Sequence, residues 1–274
     1  MSLANKIDFA VIFKVKNANP NGDPLNGNRP RTNYDRIGEV SDVCIKRKIR
    51  NRLMDAKKNI FVQSDDNKVD DCKNLRERAE TVLDNSKSSK ENADLACRKW
   101  FDVRAFGQVF AYGGEKKGAG VSIGVRGPVS IHTAFSIEPV EITSTQITKS
   151  VSGEGDGTKK GPDTMGMKHR VDKGVYAFYG SMNPQLASKT GFSDDDAQAI
   201  KGVLPKLFEN DASSARPEGS MEVEKVIWWQ HNCPHGQYSS AKVHRTLSQN
   251  LSGFLETGKI EHIGDLEPEV IDGF

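Results

Sequence analysis

Along the first residues, Ile7, Phe9, Val11, Phe13 and Val15 alternate with Asp8, Ala10, Ile12, Lys14 and Lys16. A period of two predicts a strand with one buried face. Asn17 to Arg36 then loses any apolar period and is dense in Asn, Pro, Gly and Arg, so it predicts a long ordered or ligand-binding loop. Ser41 supplies an N-cap oxygen, and Ile45, Ile49 and Leu53 follow at intervals of four, which predicts an amphipathic helix ending near Lys57. Lys46, Arg47, Lys48, Arg50 and Arg52 surround its other sides.

Residues 59–92 are polar, with one short helical pattern at Leu75, Ala79, Val82 and Leu83, and read as an insertion. A further core helix is expected over Ala93 to Phe101. Val121 to Ile137 has strand character, with Val129, Ile131, Thr133, Phe135 and Ile137 on one face and Pro128 marking a bend. Lys149 to Thr164 holds four glycines, three lysines and Pro162 with few apolar residues, the composition of a projecting loop tip. Ser193 and three aspartates open another helix, with Ile200, Val203, Leu204, Leu207 and Phe208 inward and Pro205 ending or kinking it. Val223 to Trp229 is a further strand. Helices and strands mix without regular alternation, which predicts an α+β sheet with helices on one face. No internal repeat is visible, so any repetition would come from copies of the whole chain.

At 274 residues the chain can bury one sizeable core, and none of its apolar runs reaches membrane-spanning length. The four cysteines are scattered and form no C-x-x-C pair, which suits a reducing compartment, and a cytoplasmic location is expected. The net charge of +2 conceals an uneven distribution: Arg29 to Lys58 carries ten Lys/Arg against four Asp/Glu, and Leu255 to Phe274 carries one Lys against six acids.

That basic window joins an arginine-rich loop to a helix N-terminus, and backbone amides with guanidiniums suit phosphate oxygens. Arg29, Arg31, Lys46, Arg47 and Arg50 are the candidate contacts, although a basic helix face can also be simply solvated. Met165 and Met167 stand beside Lys168, His169 and Arg170, so an apolar tip flanked by cations could wedge between bases. Two methionines packing a hairpin against the body would look the same. His231, Cys233 and His235 resemble half a metal site without a second ligand pair, so no metal is expected. Asp23 and Asp35 could recruit magnesium, but turn-capping is the commoner use of Asp in a G-D-P context. The glycines at 113–118 and 153–157 lack the residues of a P-loop, so nucleotide hydrolysis is not expected.

The runs N-P-N-G-D-P from Asn19, R-P-R-T from Arg29 and V-S-D-V-C-I-K-R-K-I-R-N from Val40 resemble the Cas-seven family of CRISPR backbone subunits, type I-C most of all. D-V-R-A-F-G from Asp102, G-V-R-G-P-V-S-I from Gly124 and M-G-M-K-H-R-V from Met165 extend the resemblance in the family's order. It implies an α+β fold: a ferredoxin-like, RRM-type palm in one domain, a helical fingers insertion near 59–92 and a protruding thumb hairpin over 141–171. It also implies a non-catalytic subunit without cofactor, whose partners are guide RNA, target DNA, copies of itself in a helical filament and other Cascade subunits. Carried over by residue, the guide phosphates would meet Arg29, Arg31, Ser41, Lys46, Arg47 and Arg50, with Lys168 and His169 beside the wedge. The rivals are a metal-dependent endoribonuclease using Asp23 and a free-standing RNA-binding module. No sheet aromatic motif of an ordinary RRM is present, which favours a grip on phosphates over stacking.

Overall fold

The computed structural model describes residues 1–84, 86–112, 121–148 and 165–274. Its centre is the predicted first strand, β1 (Ile7–Ala18), hydrogen-bonded antiparallel to β10 (Met165–Met182) on one side and to β11 (Met221–Gln230) on the other. Beyond β11 lies β12 (Glu269–Asp272). Beyond β10 come β7 (Val129–Ile131), β8 (Ala134–Pro139) and β9 (Ile142–Thr148), with β4 (Ile37–Val40) closing the edge against β8. The short pair β2 (Gly22–Asp23) and β3 (Arg29–Pro30) folds the long loop back on itself. The basic helix therefore follows one edge strand and the acidic C-terminal segment forms the opposite edge, where Lys201 and Lys225 pair with Glu269 and Asp272.

The first strand departs from the expected single buried face, because Ile7 through Phe13 are all buried. Phe9, Val11 and Phe13 pack with Ile45, Ile49 and Leu53 of α1 (Asp42–Asp55), and with α4 (Phe101–Phe106), α5 (Pro184–Thr190) and α6 (Asp194–Val203). Ala10 and Ile12 pack instead with Trp229 and with α7 (Ser240–Ser248) and α8 (Leu251–Thr257). Helices thus cover both faces, not one. The alternation was only apparent, since Ala10 and Ile12 are themselves apolar and the C-terminal helices bury them from the second face.

A second departure lies between β7 and β8. Ile131 pairs with Gly180 but Phe135 pairs with Ala177, four residues against three, so one extra residue is inserted. That bulge reverses which side chains face inward: Val129 and Ile131 are buried, then Ala134 and Ser136, while Phe135 turns outward.

The helix starts follow the capping signals. Ser41 accepts the Cys44 N–H, and Ser193 forms a reciprocal capping box with Asp196. Ser193→Ala is expected to cost about 1 kcal/mol, read as a lower urea midpoint with an unchanged slope. Pro205 lies in a 3-10 turn directly after α6.

A separate small core gathers Phe61, Ala79, Ala96, Cys97, Trp100, Val103, Phe110 and Ile123. It is built from α2 (Leu75–Glu80), α3 (Ser89–Lys99), α4 and the hairpin β5 (Gly107–Tyr112) with β6 (Val121–Arg126). Asp102 ties it to α1. Its carboxylate, 1% exposed, accepts the backbone N–H groups of Phe61 at 2.7 Å and Val62 at 3.0 Å and the Arg50 Nε–H at 2.9 Å.

Candidate nucleic-acid interface

β9 and the outer half of β10 form a two-stranded arm, with Ile142 to Thr148 paired against Val171 to Met165. The projecting stretch expected over Lys149 to Thr164 and the glycines at 113–118 lie outside the described residues. Strand alternation sets Met165, Met167 and His169 on one face of the arm with their partners Thr148, Gln146 and Ser144. Both methionines stand out into solvent, at 66% and 55% exposure. They do not pack a hairpin onto the body.

At the root of that face, two distant segments of sequence meet. Arg29 donates from Nη1 to Ser144 Oγ at 3.0 Å, and His169 Nδ1 lies 2.9 Å from the same oxygen. Next to Arg29, Arg31 pairs with Asp23 at 3.4 Å, while Asp23 also accepts the Leu25 N–H and so caps its turn. Asn21 Oδ1 accepts the Ser41 N–H at 2.9 Å, which fastens the loop to the start of α1. Lys168 alternates to the other face of the arm, opposite Thr145. Among the described residues, no carboxylate pairs with Arg29 or Lys168.

The helical cations divide by direction. Lys46 is held by Asp42 at 2.9 Å, and the exposed Arg47 lies 3.2 Å from the still more exposed Asp66, a contact of little energy in water. Arg50 points inward to Asp102 with its side chain 11% exposed and its guanidinium over the Phe106 ring, so it fastens the fold. Lys48 and Arg52 are buried as well, against Asp211 and Asp55. Burial pushes the Lys48 pKa down, outweighing the attraction of Asp211.

The H-x-C-x-H run does not assemble a ligand set. His231 is fully buried, its Nδ1 accepting the Gln237 N–H and its Nε2 therefore donating to Asp8 Oδ2 at 2.9 Å. His235 turns to Gln185. Among the described residues, no group of three His, Cys, Asp or Glu could hold a metal ion, and no helix is long and apolar enough to cross a membrane.

Ser144, where the two segments join, was not singled out from the sequence. The hydroxyl- and β-branched-rich run ITSTQIT ahead of the glycine-rich stretch was the available signal, for it reads as the first strand of a hairpin whose second begins at Met165.

The described residues thus form an antiparallel sheet with packed helices on both faces and a two-stranded arm with cations at its root. The chain belongs to the CRISPR-associated protein Cas7 family, whose model matches residues 5–270. A CRISPR-associated protein Cas7 of Haloferax volcanii is 24% identical over 229 residues, spanning 78% of this chain and 67% of that protein. A solved chain described as "CRISPR RNA-guided surveillance complex, pre-nicking" matches with a TM-score of 0.53 at 14% identity, over 96% of this chain and 94% of that one, a likeness of fold.

Proposed function

We propose that this chain is a non-catalytic backbone subunit of a type I-C CRISPR surveillance complex, holding guide RNA by its phosphates so that the bases stay free to pair with target DNA. In this reading the sheet is the ferredoxin-like, RRM-type palm and the arm is the thumb. Copies of the chain line the guide in a helical filament beside other Cascade subunits. The observation that carries the proposal is the meeting of Arg29 and His169 on Ser144, which sets the loop's cations at the root of the arm. A strand held there by its phosphates runs outward past Met165 and Met167, which are placed to wedge between bases. Packed cores lie on both faces of the central strands, which leaves that part of the sheet closed to stacked bases. The phosphate-facing set is Arg29, Arg31, Lys46, Arg47 and His169, with Lys168 serving a strand from the arm's other face, Ser41 shaping the helix start and Arg50 acting on the framework.

The test is guide binding across a salt series. Arg29→Ala and Arg47→Ala are each expected to weaken binding about tenfold at low salt and to reduce the salt slope by about 0.7 per lost contact, equally for unrelated spacers. Losses that depend on spacer sequence, or unchanged affinity in both variants, would overturn the grip. Adding magnesium and matched target RNA tests the rival enzyme: periodic cleavage abolished by Asp23→Ala would replace this reading.

A further inference from the structure

Tyr34 stands entirely in solvent, at 107% exposure, on a turn whose geometry is fixed from several sides. Asn33 accepts the Asp35 and Ile37 N–H groups on its side-chain oxygen at 2.9 and 3.0 Å, and its carbonyl accepts the Arg36 N–H. Thr32 bridges to Gly38 below the tip, and Arg36 takes the left-handed conformation at φ 61°. The turn is also bound to the root of the arm: Val140 N–H donates to the Arg36 carbonyl at 2.9 Å, and the Arg36 guanidinium pairs with Glu141 at 3.0 Å. These bonds fix the turn, and the Tyr34 ring it carries buries nothing in the fold.

We propose that Tyr34 is a stacking platform for a nucleobase of the RNA strand held at the arm root, which extends the phosphate grip proposed above and rests on it. Three features favour a base over a protein surface. The ring's chain neighbours are Thr32, Asn33, Asp35 and Arg36, with no apolar side chain to build the desolvated centre that a protein interface needs. Arg29, a few residues before the turn, has no carboxylate partner among the described residues, while Arg31 and Arg36 are paired with Asp23 and Glu141, so a cation open to a polyanion lies close to the ring in sequence. Every base offers a π-face, so stacking holds a strand without reading its edges, as a carrier of arbitrary guides requires. The platform lies on a turn at the sheet's margin, away from the faces that the packed cores cover.

The experiment uses the full chain with oligoadenylate and with an abasic strand of equal length, comparing Tyr34→Ala, Tyr34→Phe and Tyr34→Leu. Stacking predicts that Ala and Leu each weaken oligoadenylate binding about tenfold, that Phe stays close to the parent, and that none of the three changes abasic binding. Equal losses on both strands, or no loss on either, would overturn the platform while leaving the phosphate grip intact. A change in the self-association of RNA-free protein, with RNA affinity unaltered, would assign the ring to a second copy and overturn it too. Failure of the parent protein to bind either strand would remove the underlying reading as well.

Discussion

Asp102→Ala is expected to lower unfolding stability by about 3–5 kcal/mol, the range for breaking a buried ion pair from one side. The side chain is almost wholly enclosed and receives two backbone N–H groups and the Arg50 guanidinium. Its loss leaves a partly buried cation unpaired and one buried and one part-buried N–H without acceptors. Urea unfolding followed by tryptophan fluorescence reads the effect directly, since Trp100 lies in the small core and Trp228 and Trp229 in the two larger ones. Asp102→Leu with Arg50→Met should recover much of what either single change loses, because no charge is then stranded. A shift below about 1 kcal/mol in Asp102→Ala would mean that this carboxylate does not hold the small core to α1. Arg50→Ala should act on RNA binding only through the stability of the fold.

Acidification is expected to loosen the face of the sheet beneath α7. Asp8 is fully buried there, within 2.9 Å of His231, 3.1 Å of Lys6 and 3.5 Å of His244, whose ring also packs edge-on to His132. Burial pushes the His244 pKa below its ordinary 6.5, outweighing the pull of Asp8 and the hydrogen bond to the Gly180 carbonyl. The fold therefore favours neutral His244, and its contribution is present above pH 6.5 and lost as the pH falls below that value. For Asp8, burial pushes upward, but hydrogen bonds from His231, Ser240 and Lys6 prevail and hold its pKa below 3.8, so its contribution is lost only in stronger acid. Melting temperatures measured between about pH 5 and pH 8 should decline toward the acid end, and His244→Gln should flatten that slope. His231→Ala should cost about 3 kcal/mol at neutral pH by taking one partner from a buried carboxylate. A parent profile that is flat through this range would contradict the account.

The elements with local signals were legible in the sequence. Ser41 with Ile45, Ile49 and Leu53, Ser193 with its aspartates, and the apolar run at Val223 each announce themselves within a few residues, and the structure places them accordingly. What failed depended on partners far along the chain. Ala10 and Ile12 read as the weaker half of an alternation until Val243, Leu247 and Phe254 cover them. Phe135 read as sharing a face with Val129 and Ile131 because a bulge depends on pairing with β10, which no period in its own strand reveals. The candidate site divides in the same way. The cluster of cations was visible as composition, but composition does not show direction: Arg47 and Arg50 are three residues apart on one helix, yet one faces water and the other a buried carboxylate. The junction at Ser144 joins positions more than a hundred residues apart, and no local pattern could have named it.

β10 has one further consequence. It continues without a break for 18 residues, about 60 Å at the rise of an extended strand, from the arm into the centre of the sheet. Arm and body share this single strand, so the arm is joined to the sheet by hydrogen-bonded backbone. His169 and Met165, four residues apart, are separated by about 13 Å, a distance set by main-chain geometry whatever side chains decorate it. Any strand clasped at the one and prised at the other would be measured against a ruler that substitutions along the arm could blunt but not lengthen.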